Sequence, residues 1–313
     1  MNILVTGSKG VIGKKLTNEL LIRGHNVFGI DLFHAPGEYG FIQRMGAEDY
    51  YCRCDIGEYR QLERIFTRQF DIVYNCAAEF GRWNGEDYYE QVWKSNVIGL
   101  KNLLRIQEKY NFKLVHFSSS EIYGDYPGVM AENITEDTEI KQLNDYALSK
   151  WTNETQILNS ITLFKTETVI VRLFNTYGPG EYYHPYRSVN CKFCYHALHD
   201  LPITVYRGYY RTSTYIDDCI NALANIAGNF ISGRIYNIGS SQYHSIEQLA
   251  EIIWKYTDAS ADLIDYVNSE VLTTKIKQVD NSLSVKELGF KETVSLKQGV
   301  HETIDWMKEY YKV

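Results

Sequence analysis

The chain has 313 residues, 44% hydrophobic and 23% charged, with 32 Lys+Arg against 39 Asp+Glu and a formal net charge of -7. That is enough apolar material for one large or two modest cores, and it excludes a disordered or fibrous polymer. The acidic balance, with pI about 5.7, speaks against a nucleic-acid backbone as partner.

Short, continuous apolar runs predict strands at Ile3–Thr6, Asn26–Ile30, Tyr50–Cys54, Ile72–Cys76, Lys113–Phe117 and Thr168–Arg172, each covered on both faces. Between them, apolar residues at three- and four-residue spacing predict helices at Gly10–Arg23, Tyr59–Gln69, Tyr88–Tyr110 and Asp145–Leu163. This alternation implies an α/β fold with a doubly wound parallel (Rossmann) sheet and right-handed crossovers. Beyond about residue 175 the rhythm loosens. Gly178–Tyr186 reads as a loop, with helices predicted at Val189–Leu198, Asp217–Ala227, Ile246–Tyr256 and Leu296–Tyr310, and strands at Ile203–Tyr206 and Arg234–Ile238. The expected organisation is a first domain over 1–175 and a smaller α/β lobe over 176–313, sharing one cleft, with chain crossings between them.

No apolar run approaches the roughly 18 residues of a membrane span, and MNILVTGSKG enters a strand without a basic leader or cleavage site. A cytoplasmic protein with no membrane partner is expected. Six cysteines are too few for a disulfide scaffold of this size. Cys191 and Cys194, followed by His196 and His199, fall on one predicted helix and lack a second ligand pair, so they read as thiols and no metal site is expected.

The first strand runs into Gly7-Ser8-Lys9-Gly10-Val11-Ile12-Gly13. Glycines at a strand-to-helix turn let a pyrophosphate reach the helix amides and let the helix lie close on the sheet. Asp31 ends the second strand, where an acid accepts from the ribose hydroxyls and repels a 2'-phosphate, favouring NAD; Lys9 and Arg53 leave NADP as the minority reading. Asp55 is placed either for the adenine or as a helix cap. Tyr146 and Lys150 stand at i and i+4 of one helix, and Ser118-Ser119-Ser120-Glu121 follow the fifth strand at the ligand-binding edge of the sheet. A lysine and a nicotinamide cation lower a phenol's pKa, so Tyr146 can take a hydroxyl proton with Ser119 orienting it.

With these motifs the chain resembles the extended short-chain dehydrogenase/reductases, the NAD-dependent nucleotide-sugar epimerases, dehydratases and decarboxylases. The similarity runs the whole length, through TGSKGVIG, Asp55-Ile56, Asn75-Cys76-Ala77-Ala78, Asn96-Val97-Ile98-Gly99, SSSEIYG, YALSK, Arg172 to Pro179, Arg211 to Asp218 and VDNSLSVKELGF. The resemblance implies that Gly7, Gly10 and Gly13, with Val11 and Ile12, hold the pyrophosphate, Asp31 the ribose, and Asp55 and Ile56 the adenine. Cys76, Ala77 and Ala78 line the nicotinamide ribose with Asn96 beneath, Lys150 binds that ribose, and Phe174 backs the nicotinamide. Ser119, Glu121, Tyr146 and Lys150 form the implied catalytic set. Asn175 and Arg211 meet a nucleotide diphosphate, and Glu79, Arg82, Ser120 and Arg187 complete the substrate-facing set.

Glu121 leans the implied reaction toward dehydration or decarboxylation, since a carboxylate beside a 4-keto sugar can remove the C5 proton or steer loss of a group. Ser120 departs from the Asp-Glu pair of the dTDP-glucose dehydratases. Residues 79–87 replace a histidine-containing stretch common in relatives, and residues 271–277 lack the usual diphosphate-gripping arginine, leaving Lys275 as a substitute point charge. The leading expectation is a redox-neutral nucleotide-sugar enzyme acting through transient oxidation at C4, with 4-epimerisation (or 3,5-epimerisation), net dehydrogenation and a non-catalytic NAD-binding regulator as alternatives. A homodimer through the helices at 88–110 and 145–163 is also expected. Of the 26 tyrosines, Tyr177, Tyr182, Tyr183, Tyr186, Tyr206, Tyr209, Tyr210 and Tyr215 fall where a substrate cleft is expected.

Overall fold

Strand Asn2–Thr6 is apolar through Ile3, Leu4 and Val5 because helices cover it on both sides, and it lies inside the main sheet. The structure, a computed structural model, describes residues 1–33 and 50–313. Seven parallel strands form the main sheet in the order 235–238, 168–173, 113–119, 72–75, 2–6, 26–31, 51–53. The chain leaves Asn2–Thr6 toward one edge, then returns to continue from Ile72–Asn75 toward the other. That reversal opens a crevice at the carboxyl ends of the two strands.

One face of the sheet packs Leu16, Leu20, Ile220 and Leu223 from helices Val11–Ile22 and Ile216–Asn225. The other face packs Leu62, Leu103, Ile106 and Ile157 from helices Tyr59–Ile65, Gly99–Tyr110 and Asp145–Phe164. A separate core joins helices Val189–Leu198, Ile246–Thr257 and Leu296–Tyr311 through Phe193, Leu249, Ile253, Ile304 and Met307.

Three differences from the sequence reading have physical causes. The run read as an uninterrupted helix over 88–110 contains a π-turn at Trp93–Ile98 between α-helical Tyr89–Val92 and Gly99–Tyr110. Strand Ile235–Ile238, expected in the smaller lobe, instead pairs with Thr168–Leu173 at the edge of the main sheet, because its buried side chains complete that layer. Two-residue ladders such as Gln278–Val279 with Val129–Met130 are too short to leave a period in the sequence.

Candidate active site

At the crevice, Gly7 adopts φ +65°, and a Cβ there would lie 2.7 Å from the Ala77 amide nitrogen. A Cβ on Gly13 would lie 2.1 Å from the Gly7 carbonyl oxygen. Only glycine permits this approach of turn, helix and neighbouring strand, and it leaves the helix N-terminus open to an anion. Asp31 closes one side of the turn, its carboxylate accepting from the amides of Lys9 (2.9 Å) and Leu32 (2.7 Å). The two cations that kept NADP open are engaged elsewhere: Lys9 lies 4.3 Å from the Tyr51 ring centroid, and Arg53 donates to the Leu32 carbonyl. Asp55 accepts from the Gly57 amide and pairs with Lys94 at 3.2 Å, forming a turn rather than a helix cap.

The strand ends are tied together under this turn. Thr6 Oγ1 donates to Asn75 Oδ1 at 2.7 Å and accepts from the Ala77 amide. Asn96, presented by the π-turn, exchanges hydrogen bonds with the Glu79 backbone and donates to Ser149 Oγ. One residue thus fixes both the segment leaving the sheet at 76–79 and the helix Asp145–Phe164. Π-turns recur where a helix must re-aim a side chain.

That helix starts at Asn144, whose Oδ1 accepts from the Ala147 amide and whose Nδ2 donates to Glu121 (3.4 Å) and to the Leu272 carbonyl. Its first two turns carry Tyr146 and Lys150. Burial pushes the Tyr146 phenol up to about 12 against the lowering effect of its hydrogen bond with Ser119. Burial pulls Lys150 down to about 8, and its ammonium donates to the Phe117 carbonyl at 2.8 Å. A phenol held this high acts as a base only where positive charge stands close to it. A Cβ on Gly85 would lie 2.7 Å from the Tyr146 nitrogen, so helix Arg82–Asp87 presses on the start of this helix.

Glu121 lies on the 3₁₀ turn Ser120–Tyr123, which Ser119 caps by accepting from the Glu121 amide. Its carboxylate is ion-paired with Lys277, a lysine only 2% exposed. Burial alone raises the carboxyl, but Lys277, Arg82 and Arg211 overcome it and hold the group below its ordinary value. Burial brings Lys277 down to about 8 despite Glu121. The pair is thus a fixed carboxylate beside an ammonium whose proton burial loosens.

A continuous cleft of about 1090 Å³ runs past the glycine turn, Tyr146, Lys150 and Glu121, beyond the roughly 300–1,000 Å³ usual for one small ligand; Lys277 stands behind Glu121 and does not line it. The cleft is lined by Gly7, Gly10, Val11, Ile12, Gly13, Asp31, Asp55, Ile56, Cys76, Ala77, Ala78, Glu79, Arg82, Ser119, Ser120, Glu121, Tyr146, Lys150, Asn175, Arg187 and Arg211. Asn96 lies behind the wall, bonded as above. Phe174 is a correction: it is fully buried against Tyr123, 5.9 Å between ring centroids, and its neighbour Leu173 lines the cleft instead. Successive strand side chains point to opposite faces, so a one-residue misreading exchanges them.

Lys275 is a second correction. Its ammonium stands 5.9 Å from the Tyr209 ring centroid and its carbonyl accepts from Tyr210 and Arg211, while Lys277 supplies the buried cation. The sequence signal for Lys277 was slight, an alternating Lys-Ile-Lys beside the last family motif. Tyr182, Tyr183, Tyr186 and Tyr206 line the cleft, whereas Tyr177, Tyr209 and Tyr215 are core residues and Tyr210 is exposed. Cys191 and Cys194 are buried in the smaller core. Among the described residues no cluster of three or more His, Cys, Asp or Glu is grouped to hold a metal ion.

A doubly wound sheet with a glycine turn, an acid after the second strand and a Tyr-Lys helix at the switch point defines a dinucleotide-dependent oxidoreductase-type site. The NAD dependent epimerase/dehydratase family matches residues 3–239, and the chain belongs to that family. It is 29% identical to the UDP-N-acetyl-alpha-D-glucosaminuronate decarboxylase of Bacillus cytotoxicus, over 98% of this chain and 97% of the relative. It is also 29% identical to the UDP-glucuronate 4-epimerase of Thermodesulfobacterium geofontis, over 98% and 96%. A crystal structure of the Bacillus cereus UDP-glucuronic acid 4-epimerase with UDP-glucuronic acid and NAD superposes with TM-score 0.84 at 28% identity, covering 99% of this chain and all of that one. The protein is accordingly an NAD-dependent enzyme of nucleotide-sugar modification. Equal identity to a decarboxylase and an epimerase means that the site, rather than ancestry, must distinguish the reaction.

Proposed function

We propose that this enzyme decarboxylates a UDP-linked uronic acid through transient oxidation at sugar C4. The observation that carries the reading is the Glu121–Lys277 pair, with serine at 120 where a dehydratase needs an acid to expel a hydroxyl. Gly7 to Gly13, Asp31, Asp55 and Lys150 would hold NAD, which would supply reversible hydride acceptance at C4.

Tyr146 takes the C4 hydroxyl proton, with Ser119 orienting that hydroxyl and Lys150 lowering the phenol's pKa. The 4-keto uronate is a β-keto acid: breaking the C5–C6 bond releases carbon dioxide and passes the bonding pair into the C4 carbonyl as an enolate. No base is required for that step. C5 then needs a proton, which originates on Lys277 and passes through the carboxylate of Glu121, the member of the pair that lines the cleft, and solvent restores the proton to Lys277. Tyr146 returns its proton to the C4 oxygen. Dehydration demands the converse, a base at C5 and an acid at C6, and Ser120 offers no such acid.

Residues 1–175 carry the cofactor and 176–313 most of the nucleotide-facing side chains in this reading. Ile98, Leu148, Leu158 and Leu163, each more than 40% exposed along the two helices that flank the sheet, support a homodimer packed through those helices. Among the described residues no helix is long and apolar enough to cross a membrane; six free cysteines suit a cytoplasmic setting.

The test is incubation with UDP-glucuronate, UDP-N-acetylglucosaminuronate, UDP-glucose and dTDP-glucose without added reductant, following carbon dioxide and the sugar by NMR. Carbon dioxide from a uronate is expected. Water loss from a 6-hydroxy sugar, a C4 epimer without carbon dioxide, or stoichiometric NADH would refute the reading.

A further inference from the structure

Three basic side chains line the end of the cleft away from the glycine turn, namely Arg82, Lys192 and Arg211. Glu270 pairs with two of them, which Glu121 also faces. Its Oε1 accepts from Arg82 Nη2 at 2.6 Å, and its Oε2 lies 3.9 Å from Arg211 Nη2. The segment that carries it is fastened to the same groups: Arg82 Nη1 donates to the Val271 carbonyl, Arg211 Nη2 to Thr273 Oγ1, and Asn144 Nδ2 to the Leu272 carbonyl. Leu272 sits at φ +62°, a conformation that costs energy for a branched side chain and persists only when its surroundings impose it.

A guanidinium fork is the side chain best matched to phosphate oxygens, and a carboxylate is the protein's nearest equivalent of one. Arg211 is only 6% exposed, so leaving its charge without an anion is costly. We infer that Glu270 is a resident anion occupying the guanidinium groups of Arg82 and Arg211, which a nucleoside diphosphate must displace in order to bind them, so that Glu270 sets the affinity threshold for substrate. The inference rests on the nucleotide-sugar reading above. Its consequence is specific in sign: Glu270 opposes diphosphate binding, although it pairs with both arginines.

Glu270→Gln keeps the side chain's shape and its hydrogen-bond acceptor for Arg82 while removing the charge. Calorimetric titration of the intact chain with UDP, dTDP and GDP reads the effect, and NADH binding and thermal unfolding check that fold and cofactor site are unaltered. At least one diphosphate should bind the variant roughly tenfold more tightly than the parent, a gain of about 1.4 kcal/mol, with NADH affinity unchanged. A purely structural role for Glu270, in which it only orders Arg82, predicts weaker binding. Weaker or equal diphosphate affinity in the variant, with the parent binding normally, overturns the inference and leaves the nucleotide-sugar reading standing. Absence of binding to both chains overturns that reading and the inference with it.

Discussion

Lys277→Met tests the chemistry most directly, because methionine keeps the length of the side chain and removes the charge that holds Glu121. Separating a buried pair costs roughly 3–5 kcal/mol when the remaining charge is uncompensated. Here Arg82 and Arg211 still face the carboxylate, so the loss should fall toward the lower end of that range, about 3 kcal/mol, lowering Tm by roughly 6–12 °C at about 2–4 °C per kcal/mol. Without Lys277 burial weighs more heavily on Glu121 and its carboxyl rises. Removing a positioned proton donor slows its step by roughly 10²–10⁴-fold, about 3–5 kcal/mol of barrier.

The assay mixes enzyme rapidly with the active uronate, reading NADH absorbance for the oxidation and trapped carbon dioxide for overall turnover. Oxidation should stay within about threefold of the parent while turnover falls by at least about a hundredfold, so that NADH accumulates. Lys277→Arg should recover the lost stability but little of the turnover, since a guanidinium holds Glu121 without releasing a proton. Equal losses in both half-reactions would reduce Lys277 to a scaffold, and full turnover without it would refute the role.

Three further outcomes are expected. Asp31→Ala should weaken NAD by roughly 10–100-fold, as expected for hydrogen bonds to a charged group, and should tighten NADP; fluorescence titration with each reduced cofactor decides, and unchanged preference would contradict the assignment. Gly85→Ala forces a methyl group against the Tyr146 backbone and should lower kcat more than it raises KM, with roughly 1–3 kcal/mol lost from stability; a normal kcat would show that helix 82–87 does not position Tyr146. Finally, burial raises the thiols of Cys54 and Cys219 to about 12 and those of Cys76, Cys191 and Cys194 higher still. Groups raised in the folded state contribute stability that is complete below the unfolded thiol pKa, roughly 8.5, and is lost as pH climbs beyond it. The lysines at 150 and 277 oppose this but are fewer, so Tm in reducing buffer should fall between pH 8 and 10, and a rise would contradict the burial argument.

Much of this enzyme is local and therefore written along the chain. Continuous apolar strands, helices with three- and four-residue spacing and the glycine turn each depend on neighbours within a few residues, which is why the sheet and Gly7, Asp31, Tyr146 and Lys150 could be read directly. The errors came where geometry is decided at a distance. Phe174 and Leu173 differ by one step of strand alternation, and only the pairing of Thr168–Leu173 with both neighbouring strands fixes which one faces the cleft. Strand Ile235–Ile238 looks like any short strand until the open edge of the main sheet claims it.

The sequence by itself determined the fold class, the cofactor turn and the Tyr-Lys helix, because backbone sterics and periodic burial act over short separations. The tertiary structure decided the part of the cleft around Glu121 and Glu270. Lys277 meets Glu121 across 156 positions of chain, and Glu270 meets Arg82 across 188. Neither partner announces the other in sequence, since an ion pair is defined by a few ångströms of space and by the burial that makes it matter.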